Sequence, residues 1–340
     1  MHITVLLGGA SAERDVSLAT GFRVIDSLRS TGHIVTAVDP VVGALAPAAE
    51  VELRAGGVRR QPPSLDELAR LTGARHRELS PELVALPAVR DADVVFLALH
   101  GGQGENGTLQ AMLDLVGVPY TGSGHLASAL AMDKDLSKTL FRAAGVTTAD
   151  WTMAPARDEM VEHTLGFPIV VKPSKQGSTV GLTVVRNRGM LQAAIGQAFQ
   201  YDDEVMIERF VPGRELTVGV LGDEALPVGE IFPKHDVYDY ECKYTAGMAR
   251  EEFPAQLTPR ETALLQDQAL RAFAALKLRG YARIDFRLAP DGAPYCLEAN
   301  TLPGLTGTSL IPQAAAARGI GFAEFCERVV RLAVRGGSDT

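Results

Sequence analysis

The stretch YARIDFRLAPDGAPYCLEANTLPGLTGTSL, Tyr281 to Leu310, constrains the rest of the chain more than any other. Two strand-like runs, Tyr281–Leu288 and Ala293–Ala299, flank Pro290-Asp291-Gly292. Those three residues favour a tight reversal: proline presets φ, aspartate bonds its own backbone, and glycine supplies positive φ. Side chains alternate faces along a strand, so Arg283 shares a face with Asp285, and Glu298 shares one with Asn300. A hairpin pairing these faces brings two carboxylates, an amide oxygen and a guanidinium together. Phe286, Leu288, Tyr295 and Leu297 are then expected to pack on the opposite face. Carboxylates and an amide oxygen are hard ligands suited to Mg²⁺ held against phosphates. A solvated hairpin with scattered charges would contain the same residues.

A chain of 340 residues has room for two or three domains and a large core. Its formal charge of −8 argues against non-specific nucleic-acid binding, which needs clustered basic charge. Three scattered cysteines, Cys242, Cys296 and Cys326, form neither a disulfide framework nor a thiolate metal site, and fit a reducing cytoplasm. The opening MHITVLLGGA lacks a basic leader region and reads as a first strand, not a signal peptide. No apolar run approaches membrane-span length, so no membrane partner is expected.

Ile3–Leu7 feeds Gly8-Gly9, a helical stretch to about Gly32, and a second strand at Ile34–Val38, a strand–helix–strand opening that suggests a parallel sheet. Gly8-Gly9 is not G-x-G-x-x-G, which weakens a dinucleotide-binding or dehydrogenase reading. Residues 40–91 read as irregular. Val94–Leu99 is a buried strand, Thr108–Val116 a helix stopped by Gly117, and Val118–Thr121 a short strand. His125–Ala144 reads as one helix carrying Lys134. Strands at Pro168–Lys172 and Leu182–Val185 flank the glycine- and hydroxyl-rich loop Ser174–Gly181, which suits either a phosphate cover or an ordinary long turn. Further strands are expected at Glu204–Phe210, Leu216–Leu221 and Ala225–Phe232, helices at Thr258–Leu278 and Phe322–Val334, and Phe232–Phe253 is a long aperiodic span of the kind that forms functional lids.

In this order the pieces resemble the D-alanine–D-alanine ligases of the ATP-grasp superfamily. The resemblance rests on LLGGASAERDVS (Leu6–Ser17), HGGQGENGTLQ (His100–Gln110), PYTGSG (Pro119–Gly124), MDK (Met132–Lys134), VVKPSKQGSTVG (Val170–Gly181), YDYECKY (Tyr238–Tyr244), RIDF (Arg283–Phe286) and LEANTLPGLTGTSL (Leu297–Leu310). It implies an α/β (α+β) three-domain ATP-grasp architecture with an N-terminal parallel-sheet, Rossmann-like domain. The expected boundaries are 1–122 (first D-alanine site, dimer contacts), 123–211 (central domain with the Ser/Gly loop) and 212–340 (lid and metal site).

The resemblance also implies a site. Lys134 and Lys172 touch the ATP phosphates or adenine side, Lys243 reaches the γ-phosphate as the Tyr238–Tyr244 lid closes, Glu208 takes the adenine amine, and Glu215 the ribose. Asp285, Glu298 and Asn300 hold two Mg²⁺ (or Mn²⁺). Glu13 takes the ammonium of the first D-alanine with His100 nearby. Arg283 and the Gly304 N–H steady the oxyanion, while Ser309 and the Leu310 N–H hold the second carboxylate. Ser178 and Tyr244 join Glu13 in a chain of hydrogen bonds that closes two loops. The implied activity is ATP-dependent formation of D-alanyl-D-alanine through an acyl phosphate for peptidoglycan precursors, in a cytoplasmic homodimer. Another ATP-grasp carboxylate–amine or D-alanine–D-lactate ligase is the alternative, and the intact Lys243-Tyr244 pair favours an amine nucleophile. Asn106, where the family more often has aspartate, and Thr179, where it often has serine, are departures that touch no catalytic role.

Overall fold

The computed structural model describes residues 1–59, 64, 66–67, 70, 79–234, 238, 242–243 and 247–336. Three sheets occur among them. The first contains β1 (His2–Leu6), β2 (Ile34–Asp39), β3 (Gly43–Ala44) and β4 (Val94–Leu97) in the order β3-β2-β1-β4. β1 lies parallel to both β2 and β4, with the helix Arg14–Ser30 as crossover. Ile3, Val5, Leu6 and every residue of β4 are buried, as a parallel strand covered on both faces requires. The carboxyl ends of β1 and β4 therefore present Gly8–Glu13 and His100–Glu105 side by side, where open parallel sheets bind ligands.

The second sheet is antiparallel: β5 (Trp151–Met153), β6 (Ile169–Pro173), β7 (Thr183–Val185) and β8 (Val205–Arg209), in the order β5-β8-β6-β7. The third holds β9 (Arg214–Leu221), β10 (Glu224–Ala225), β11 (Gly229–Pro233), β12 (Ala249–Glu252), β13 (Tyr281–Leu288) and β14 (Pro294–Asn300). β13 lies between β9 and β14, and the helix Pro259–Ala275 packs behind them, started by a Thr258/Glu261 capping box. No helix among the described residues is long and apolar enough to cross a membrane.

Several expectations are corrected. The stretch His125–Ala144 is two helices, His125–Met132 and Lys134–Ala143. Asp133 breaks it, because its carboxylate accepts the backbone N–H groups of Asp135 and Leu136 as an N-cap. Ala225–Phe232 is interrupted between β10 and β11, and Val118–Thr121 makes only an isolated bridge from Tyr120 to Val95. The region after Pro40 is not irregular throughout, since Pro47–Arg54 is a helix with proline at its start. Neither Tyr295, which opposes Arg287, nor Leu297 joins Phe286 and Leu288 on the core face. Register slips between Asp285 and Phe286, so that Asp285 opposes Glu298 while Phe286 opposes Cys296. Leu297 is the extra residue of this bulge, and both it and Glu298 line the same cleft.

The cores cross the sheets. Leu305, Ile311, Phe325 and Val329 from the end of the chain pack with Ile3, Val5 and Phe96 of the first sheet. Ala127, Ala131 and Phe141 pack with Val218, Ile284 and Phe286 of the third. Each fully buried Val, Leu, Ile or Phe among them contributes about 1.5–3 kcal/mol, so these contacts tie the sheets around the clefts they frame.

Candidate functional site

A cleft opens between the second and third sheets, lined by Lys134, Lys172, Glu208, Glu215, Lys243, Asp285, Leu297 and Glu298. Its floor is the organising hairpin. Arg283 opposes Asn300 and Asp285 opposes Glu298 across β13 and β14. The Arg283 guanidinium donates to both Asp285 oxygens, Nε to Oδ1 at 2.9 Å and Nη2 to Oδ2 at 2.8 Å. Thr217 Oγ1 donates to Asp285 Oδ1 at 2.7 Å, and the Asn300 amide donates to Oδ2 at 3.0 Å. Lys134 Nζ stands 3.3 Å from Glu298 Oε2. Burial works against a charged Glu298, but Lys134, Lys243, Lys172 and Arg283 outweigh it and bring its carboxyl down to about 2. No cluster of three His, Cys, Asp or Glu side chains suited to a metal exists among the described residues. The donor set is two carboxylates and one amide oxygen, hard oxygens with Glu298 kept ionised, which fits Mg²⁺ sharing its shell with phosphate oxygens.

The other end of the cleft is built on Glu208 of β8. Lys172 Nζ donates to its Oε2 at 2.7 Å, and Lys138 Nζ donates to Oε1. Burial would raise the Glu208 carboxyl, yet the two lysines bring it down to about 2. Glu215 Oε2 accepts from Arg287 Nη1 at 3.2 Å, with burial the main cause of its raised pKa. Lys243 Nζ lies 5.5 Å above the Tyr238 ring, within reach of the same cleft.

Beyond the loop Ser174–Gly181 lies Glu13, whose Oε1 accepts from Ser178 Oγ at 2.6 Å. Ser178 and Thr179 hold φ of 50° and 64°, a left-handed backbone that costs non-glycine residues about 1–3 kcal/mol each. Two contacts compensate: the Ser178–Glu13 bond and a 3.0 Å bond from Thr179 Oγ1 to the Tyr238 carbonyl. Tyr244, expected to complete this chain, lies outside the described residues. Gly101 approaches so closely that a Cβ there would stand 3.0 Å from Glu13 Oε2, and its φ is +68°. Only glycine serves at that position.

His100 is buried and both ring nitrogens are engaged within the protein. Nδ1 lies 2.8 Å from the Leu302 carbonyl, which can only accept, so Nδ1 carries the proton. Nε2 lies 3.0 Å from Thr20 Oγ1, and burial lowers the ring's pKa. His100 thus ties the first sheet to the loop after β14 instead of offering a free nitrogen to Glu13's partner. On that loop, a Cβ on Gly304 would meet Ser309 Oγ at 2.9 Å, and Ser309 precedes the helix Leu310–Ala317. Gly304, Ser309 and the Leu310 N–H are therefore gathered at one helix start, near Val16 of the first helix.

Three residues escaped the sequence reading. Lys138 sits one helical turn beyond Lys134, a spacing that places both on one face. Arg287 follows Asp285 by two on β13 and shares its face. Glu105 accepts the Gly101 N–H at 3.0 Å, and burial with the nearby Glu13 charge raises its carboxyl to about 7. Nothing in its spacing signalled that.

Two family models together match most of the chain. The family described as D-ala D-ala ligase N-terminus matches residues 2–123, and that described as D-ala D-ala ligase C-terminus matches 134–331. The curated D-alanine--D-alanine ligase of Gloeobacter violaceus is 42% identical over 336 residues, covering 97% of this chain and 98% of its own. That of Anaeromyxobacter sp. is 40% identical over 332 residues, covering 96% and 95%. The crystal structure of the D-alanine--D-alanine ligase from Bacillus anthracis complexed with ATP superposes with a TM-score of 0.77 at 28% identity, covering 100% of this chain and 99% of that one. The structure of the ligase from Coxiella burnetii gives 0.79 at 28% identity, covering 100% and 95%. With both halves matched and relatives aligned over nearly their whole length, the chain belongs to the D-alanine–D-alanine ligase family.

Proposed function

We propose that this protein joins two D-alanine molecules with cleavage of ATP to ADP and phosphate, supplying a dipeptide for peptidoglycan precursors. The observation that supports it most is one cleft with two chemistries: lysines including Lys172 beside Glu208, and oxygen donors on β13 and β14 with Glu298 ionised.

A free carboxylate acylates poorly, since its leaving group would be oxide. In the proposed first step a carboxylate oxygen of the first D-alanine attacks the γ-phosphorus, the bond to the bridging oxygen breaks, and ADP departs. Lys134, Lys172 and Lys243 hold the phosphate oxygens, where spread negative charge is stabilised by fixed cations. Asp285, Glu298 and Asn300 would hold two Mg²⁺ or Mn²⁺ ions, which supply charge neutralisation to the phosphates when bound. Glu208 accepts from the adenine amine, and Glu215 from the ribose.

The second D-alanine then attacks the acyl carbon through its amine, a proton leaves the nitrogen, and phosphate departs. Arg283 and the Gly304 N–H face the oxyanion, while Ser309 and the Leu310 N–H hold the attacking molecule's carboxylate. Glu13 pins the first ammonium, and the Ser178 bond keeps the loop over it, excluding water from a hydrolysable acyl phosphate. Residues 1–122 carry the Glu13 site, 123–211 the loop, and 212–340 the lid and oxygen donors.

The test is ADP release by the purified chain with Mg²⁺-ATP and D-alanine as sole amino acid. Release with D-alanine and not with L-alanine is expected, and D-lactate added beside D-alanine should yield no D-alanyl-D-lactate. Absence of D-alanine-dependent ADP overturns the proposal.

A further inference from the structure

The two lysines on Glu208 are not equivalent. Lys172 lines the cleft and reaches Oε2 at 2.7 Å. Lys138 does not line it and is fully buried, yet it holds the other oxygen, Oε1. Its ammonium also donates to Thr148 Oγ1 at 2.5 Å and sits 5.1 Å above the Trp151 ring. Thr148 Oγ1 in turn donates to the Cys296 carbonyl at 2.7 Å, on the strand that bears Glu298. Lys138 is therefore held from several sides, its charge opposed by burial and supported by Glu208, whereas Lys172 stands on the cleft wall.

That asymmetry bears on base recognition, resting on the ATP reading above. An ionised carboxylate only accepts hydrogen bonds; a protonated one also donates. A buried carboxylate abandoned by its sole cation takes up a proton. If Lys172 alone neutralised Glu208, its departure toward phosphates would turn the acceptor into a donor, able to pair with a 6-oxo purine as well as a 6-amino purine. We infer that Lys138 is a positioning residue for the nucleotide base: by clamping Oε1 it keeps Glu208 an acceptor and leaves Oε2 for the exocyclic amine. Lys138 touches no substrate itself.

The experiment compares ATP with GTP as phosphoryl donor in the full-length chain, with saturating D-alanine. Lys138→Met is expected to lower the ATP-over-GTP ratio of kcat/KM by about tenfold or more, the scale of one charged hydrogen bond. The change should lie in the ATP KM, with kcat at saturating ATP and the D-alanine KM unaltered. Selectivity in this variant should recover as pH rises and Glu208 regains its charge, whereas the wild type stays flat. In a Glu208→Gln background Lys138→Met should change selectivity no further, because it acts through that carboxylate. This double variant strands no buried carboxylate, and the cation that loses its partner, Lys172, faces the cleft, so it serves where the single one fails to fold. Unchanged selectivity in Lys138→Met, or a double variant that differs in selectivity from Glu208→Gln, overturns the inference. A wild type that binds no ATP in equilibrium titration overturns the underlying reading and this inference with it.

Discussion

The Ser178 hydroxyl donates to the Glu13 carboxylate across 2.6 Å, joining residues 165 positions apart and latching a loop of the second sheet onto the first. The loop residues that make this latch adopt left-handed backbone. Strain at that point is compensated only while the latch and the Thr179–Tyr238 contact hold.

Removing the hydroxyl should therefore open the loop. Ser178→Ala is expected to raise the KM for the first D-alanine by about 10–100-fold, the value of a hydrogen bond to a charged group. ATP affinity in the absence of D-alanine should stay as in the wild type. Steady-state kinetics with equilibrium nucleotide titration decide it; an unaltered D-alanine KM would contradict a closing role.

Glu298 is held ionised at about 2 by four surrounding cations. Glu298→Gln removes the charge that a divalent cation needs while keeping the size of the side chain. Turnover should fall at least about a hundredfold, as when a key electrostatic group is lost, and raised Mg²⁺ should restore part of it. Near-normal activity at ordinary Mg²⁺ would remove Glu298 from the ligand set.

Glu105 gives a pH signature. Its folded-state carboxyl is raised to about 7 from 4.5. The folded chain thus keeps a proton that the unfolded chain releases, and stability falls as pH rises from 4.5 to about 7, with the full penalty standing above that. The penalty is at most about 3 kcal/mol, less for the share screened by water. Glu105→Gln should gain stability relative to the wild type between pH 5 and pH 8, measured as the difference in urea midpoints. Parallel pH profiles would rule this out.

Asp133 caps the helix that carries Lys134 and Lys138. Asp133→Ala should cost about 1 kcal/mol in urea unfolding. Because the cap also sets where Lys134 begins, the ATP KM should rise alongside. Loss of stability with an unchanged KM would confine Asp133 to the helix.

What the sequence determined by itself was local and periodic. The reversal at Pro290-Asp291-Gly292, the alternation along β13 and β14, and the parallel opening of the chain were all readable, because strand faces and turn residues follow from short-range sterics. The ordered motifs from Leu6 to Leu310 carried the family resemblance. Three decisions belonged to the tertiary structure. Bulging at Leu297 turned an expected core residue into the cleft, since register depends on the partner strand. The buried pairing of Lys138 with Glu208, 70 residues apart, depends on helix 134–143 packing against a sheet whose strands come later in sequence. Glu105's raised carboxyl depends on desolvation and on Glu13 brought close by parallel β1 and β4. Charge, burial and register across distant segments are properties of the packed chain; periodicity along one segment cannot encode them.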